Sequence, residues 1–111
     1  MTDLTQEQRT MVAQFQMYQQ QMQNLLMQKE SMKIQEVELQ RAIEELSVTK
    51  QVSAYKITGS IMVSKPVQEL KKELEEAKED IGVRLKSVEA TEARFESKLK
   101  ELQSKLTEAL K

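Results

Sequence analysis

The chain has no cysteine, no histidine and no tryptophan, and one proline and two glycines among its 111 residues. Without Cys or His there can be no zinc finger, thiol redox centre, cysteine nucleophile or imidazole base. No disulfide can form, so cysteine pairing says nothing about redox compartment and a reducing cytosol is permitted. Turn-forming residues are too few for a many-stranded sandwich, a barrel within one chain or a doubly wound sheet. No apolar run approaches the ~20 residues of a membrane span, and the opening Met1-Thr2-Asp3-Leu4 lacks the basic start and apolar middle of a signal peptide. The expectation is a soluble cytoplasmic protein with no membrane partner. Basic and acidic residues, 17 and 18 in number, are closely mixed for a net charge of −1. The basic stripe of a duplex-binding protein is missing, which argues against a nucleic-acid partner.

What the chain does have is periodicity. In its first half, apolar residues recur at alternating steps of four and three: Met11, Phe15, Tyr18, Met22, Leu25, Met32, Leu39, Ile43 and Leu46, with Leu4 one heptad earlier. Only Lys29 and Glu36 interrupt this coiled-coil seam. Thr5, followed three places on by Gln8, has the pattern of a capping box, so the first helix is expected over 5–47. A second seam runs Val67, Leu70, Leu74, Ala77, Ile81, Leu85, Val88, Phe95, Leu99, Leu102, Leu106 and Ala109, with Glu92 as its polar member. Two consecutive steps of four through Ile81 form a stutter beside Gly82. This is either a soft point in the helix or a neutral local irregularity. Pro66 suits the first turn of the second helix, expected over 66–110.

Residues 48–65 differ in character. Tyr55, Ile57, Ile61 and Val63 alternate with Lys56, Thr58, Met62 and Ser64 around Gly59, a period of two that predicts a β-hairpin turning near Thr58-Gly59-Ser60. Such a connector lets the helices fold back antiparallel on each other. Lys29 and Glu92 then fall at comparable heights, where they either compensate across the seam or each reach solvent along their stems. An isolated hairpin is marginal in water and has two unpaired edges. With the helix seams facing each other, no layer of the chain is left to cover it. Hairpins from several chains, pairing edge to edge, would close a barrel. The fold class expected is therefore mostly α: a long antiparallel two-helix coiled coil joined by one β-hairpin that assembles with other subunits into a β-barrel platform.

Outside its seam, the first helix also carries Val12, Met17, Leu26 and Met27 among many glutamines, and five of the seven methionines lie between positions 11 and 32. Adaptable methionine-rich surface suits weak capture of unfolded chains; packing against another subunit, or scattered surface apolars, are the plainer readings. The many carboxylates lie on solvated helix faces with no cavity to shift them, so they read as solubility and intrahelical pairing involving Glu69, Lys72 and Glu73. No catalytic residue, metal site or cofactor site is expected, and no glycine-rich loop supports nucleotide binding.

A long helix, then Tyr55-Lys56-Ile57-Thr58-Gly59-Ser60-Ile61-Met62-Val63, then a second long helix resembles the β-class subunit of prefoldin. Tyr55-Lys56-x-x-Gly59 with the apolar run Ile61–Val63 is the most specific part of that likeness. Tyr18-Gln19-Gln20-Gln21 is similar to archaeal members. A single hairpin matches the β class, since the α class has two. The resemblance implies one prefoldin-like unit over 1–111, taking part with an α-class subunit in an α2β4 hexamer. It also implies an ATP-independent holdase that captures non-native proteins at coiled-coil tips and delivers them to a group II chaperonin. On the same basis the platform residues would be Tyr55, Ile57, Gly59, Ile61 and Val63. The client-binding residues would be Leu4, Met11, Val12, Phe15, Leu102, Leu106 and Leu110. The competing reading is a structural coiled-coil scaffold or spacer without clients.

Overall fold

The computed structural model describes residues 4–110. Helix α1 spans Gln6–Val48, strands β1 and β2 span Ser53–Thr58 and Ile61–Pro66, and helix α2 spans Val67–Ala109. By packing, the chain divides into two units: Met1–Glu30 with Lys86–Lys111, and Ser31–Leu85.

The first unit pairs the beginning of α1 with the end of α2, antiparallel. Its start is a full capping box: the Thr5 N–H donates to Gln8 Oε1 at 2.9 Å, and the Gln8 N–H donates to Thr5 Oγ1 at 3.1 Å. The same Gln8 amide reaches across, Nε2 donating to the Ala109 carbonyl at 3.4 Å, so one side chain serves an end of each helix. Along the seam, Met11, Phe15, Tyr18, Met22 and Leu25 are half-buried against Val88, Phe95, Leu99, Leu102 and Leu106. Tyr18 and Phe95 meet edge to face with ring centres 5.7 Å apart, a favourable aromatic geometry. Leu102, at 3% exposure, is the tightest packing point here. Ala109, assigned to the seam by its spacing, is exposed where helix α2 ends.

The second unit holds the rest of both helices and the hairpin. Val67 and Leu70 are buried, and Met32, Leu39, Ile43 and Leu46 of α1 are half-buried, as are Leu74, Ala77, Ile81 and Leu85 of α2. Lys78 donates through Nζ to Gln40 Oε1 across the pair. Helix α2 runs unbroken through the stutter and Gly82. A Cβ at Gly82 would meet only the Glu36 carboxylate, 3.9 Å away, so the polar seam residue Glu36 faces a position without a side chain. Pro66 closes strand β2 instead of opening α2; the first helical residue is Val67, whose N–H donates to the Val52 carbonyl at 2.8 Å and ties the two ends of the hairpin together.

Candidate functional site

The hairpin has a two-residue loop, Gly59-Ser60, with Thr58 paired to Ile61. Gly59 has φ of +62° and no non-glycine residue among those described has positive φ. Positive φ at the first loop residue alone is the pattern of a type II′ turn, whose twist matches that of paired strands. A side chain at Gly59 would meet nothing nearby, so glycine stands there for its backbone conformation, not for space.

Loop length decides which residues share a face. Pairing Ile57 with Met62 and Tyr55 with Ser64 puts Tyr55, Ile57 and Met62 on one face; pairing Lys56 with Val63 and Thr58 with Ile61 puts Ile61 and Val63 on the other, with Ala54, Lys56 and Lys65. The alternation read from sequence left the faces unassigned; the two-residue loop divides its apolar residues between both. Met62, the middle of the apolar run Ile61–Val63, shares its face with Tyr55 and Ile57. Exposure is high on both faces: Tyr55 70%, Ile57 73%, Met62 65%, Ile61 60% and Val63 36%. These are large apolar side chains on a sheet of two strands whose outer edges are unpaired by any other strand among the described residues.

The hairpin is tied to α2 by charge. Glu73 Oε1 accepts from Lys65 Nζ at 2.6 Å and Glu73 Oε2 accepts from Lys56 Nζ at 3.3 Å, so one carboxylate engages both strands. The hydrogen bond from Lys65, aided by that from Lys56, holds the Glu73 carboxyl below its ordinary range. The same bond to Glu73 raises the Lys65 ammonium. Sequence reading had placed Glu73 on a solvated face with intrahelical partners. Within α2, Glu101 pairs with Lys105 at 3.0 Å and with Lys98 at 3.6 Å. Only three-dimensional placement reveals the Glu73 contacts, since Lys65 and Lys56 lie eight and seventeen residues before it.

In the other unit, the seven residues expected to touch clients are mostly engaged within the helix pair. Leu4, Met11, Val12, Phe15 and Leu106 are half-buried and Leu102 is buried, whereas Leu110 is 61% exposed. The exposed apolar residues of α1 in this unit are Met17, Leu26 and Met27, three of the four off-seam apolar positions noted in the sequence. An open groove of about 560 Å³ near the helix ends is lined by Met11, Gln14, Lys98, Leu102, Lys105 and Ala109, among others. The seam's two charged interruptions in this unit meet: Lys29 Nζ lies 2.8 Å from Glu92 Oε1, which raises the Lys29 ammonium through that hydrogen bond.

Among the described residues no cluster of acidic side chains could hold a metal, and no helix is long and apolar enough to cross a membrane. Two long helices bridged by one exposed apolar hairpin define a coiled-coil subunit of the hairpin-linked class. The family model for prefoldin subunits matches residues 9–111. The prefoldin β subunit of Thermococcus onnurineus is 33% identical over 102 residues, covering 91% of this chain and 88% of that protein. The Archaeoglobus fulgidus β subunit is 32% identical over 111 residues, covering 99% and 96%. The crystal structure of the prefoldin β subunit from Thermococcus strain KS-1 superposes with a TM-score of 0.87 at 29% identity, covering 100% and 98%. The chain belongs to the prefoldin subunit family, a family of chaperone subunits.

Proposed function

We propose that this chain is a β-class subunit of an α2β4 prefoldin hexamer in the cytoplasm, joined to its neighbours through the hairpin. The reading is carried by one observation: a two-stranded sheet with Tyr55, Ile57 and Met62 exposed on one face and Ile61 and Val63 on the other. Large apolar groups on both faces of so small a sheet call for cover on both sides, and two unpaired edges call for further strands. Strands from an α-class subunit and from other copies supply both in a closed barrel. Gly59 contributes the turn that brings the strands into register.

The complex then works as an ATP-independent holdase that passes non-native proteins to a group II chaperonin. Client contact is assigned to the helix ends, to Leu110 and the accessible parts of Leu4, Met11, Val12, Phe15, Leu102 and Leu106. Met17, Leu26 and Met27 extend the apolar, weakly charged surface on α1. The test is aggregation of a guanidinium-unfolded enzyme diluted into buffer without ATP, in the presence of this chain co-purified with an archaeal prefoldin α subunit. Light scattering should fall with increasing complex. A structural scaffold would assemble and leave the scattering unchanged.

A further inference from the structure

Few contacts set the direction in which the hairpin points. Ala54 and Lys65 are half-buried, and the other strand residues are exposed. Where the hairpin base meets the helices there is an open groove of about 310 Å³ lined by Ala42, Leu46, Ala54, Tyr55, Leu70 and Leu74 among others, so close apolar packing does not fix the sheet there. The Val67 N–H to Val52 carbonyl bond ties the base of the hairpin and makes no contact further out along the strands. What reaches out along the strands is Glu73. Lys56 and Lys65 stand on opposite strands but on one face, and both ammonium groups are within 3.3 Å of its carboxylate. Exposed ion pairs are individually weak. A single carboxylate taking a charge-assisted bond from each strand nevertheless restrains tilt in a way that one pair would not.

We propose that Glu73 is a positioning residue for assembly: by clamping Lys56 and Lys65 it fixes the tilt of the hairpin against α2, so that the exposed apolar residues of both faces are presented to neighbouring subunits. This rests on the assembly role given above to the hairpin. Closing a barrel from several hairpins requires each to arrive at a common tilt. A hairpin already held at that tilt loses less freedom on association. The other charges near the clamp are Glu69 of α2, which acts on Lys65, and Glu45 of α1, which shares the groove with Lys56. Both are acidic, and neither forms an ion pair with Lys56 or Lys65 while Glu73 holds them.

The absence of native cysteine allows a direct measurement. Nitroxide labels on Ser60→Cys at the turn and Asp80→Cys on α2, both exposed positions, report the hairpin-to-helix distance in the full chain. A single narrow distance distribution is expected for the otherwise unchanged protein, and a broad one for Glu73→Gln. The charge-swapped variant Glu73→Lys with Lys56→Glu and Lys65→Glu should narrow it again. On acidification through the carboxylate range the parent should broaden toward the Glu73→Gln distribution, which itself should change less. In the complex with an archaeal prefoldin α subunit, Glu73→Gln should raise the apparent Kd about three- to tenfold, as the correctly aimed fraction falls. A distribution that is broad in the parent, or equally narrow in Glu73→Gln, overturns the proposal, as does undiminished assembly of Glu73→Gln. A companion variant, Ile57→Asp with Met62→Asp, separates the two readings. If it too assembles normally, the hairpin is not the assembly surface; if it alone fails to assemble, only the role of Glu73 is lost. Circular dichroism checks that the helices persist in every variant.

Discussion

At Gly82 the helix carries a residue that costs backbone entropy without needing positive φ, and a Cβ there would find the Glu36 carboxylate at an ordinary 3.9 Å. Gly82→Ala should therefore stabilise the protein by about 0.5–1 kcal/mol, read as a higher midpoint in chemical denaturation. Leu102 is the opposite case. At 3% exposure it fills the seam near the helix ends, and Leu102→Ala should cost about 2–4 kcal/mol in the same experiment. Heptad spacing alone was enough to name most of these seam residues, because a narrow stripe on each of two helices has one economical way to be covered. It could not decide whether Lys29 and Glu92 meet. That depends on register and side-chain reach, and the structure brings them to 2.8 Å.

Among the elements, the hairpin shows where periodicity stops being sufficient. Period-two alternation and Gly59 located both strands and the turn, but which residues share a face follows from the number of loop residues. With two, Met62 joins Tyr55 and Ile57, and Ile61 and Val63 go to the other side. The Glu73 clamp was equally hidden, since nothing in a helix of alternating charges distinguishes one glutamate from the next. Its titration has a definite sign. The Glu73 carboxyl is held low, so its contribution is complete above the ordinary carboxylate value of 4.5 and is lost as pH falls through the depressed one. Glu101, held low chiefly by its hydrogen bond from Lys105, behaves alike. Lys65 is raised, so its contribution is complete below 10.5 and fades only at more alkaline pH. Thermal melts followed by circular dichroism should thus be level around neutrality and fall on acidification, and Glu73→Gln should flatten part of that acid limb.

For the molecule as a whole, the central expectation concerns assembly. Ile57→Asp with Ile61→Asp places a charge on each face of the hairpin and should prevent association with an α subunit while leaving helix content nearly unchanged. Native mass spectrometry reads the first and circular dichroism the second. Particles of unaltered mass would remove the hairpin from the interface. The proposed client surface was the least legible part of the sequence, because a residue in an apolar stripe can serve either its partner helix or a guest. Here most of the stripe serves the partner helix, and Leu110 with the off-seam methionines is left outside. The shared cap at Gln8 adds a last consequence. Its side-chain amide accepts from the Thr5 N–H through Oε1 and donates to the Ala109 carbonyl through Nε2, so the two extremities should fray in concert. Amide deuterium uptake in the opening turn of one helix and the closing turn of the other should follow a common time course, and Gln8→Ala should accelerate both.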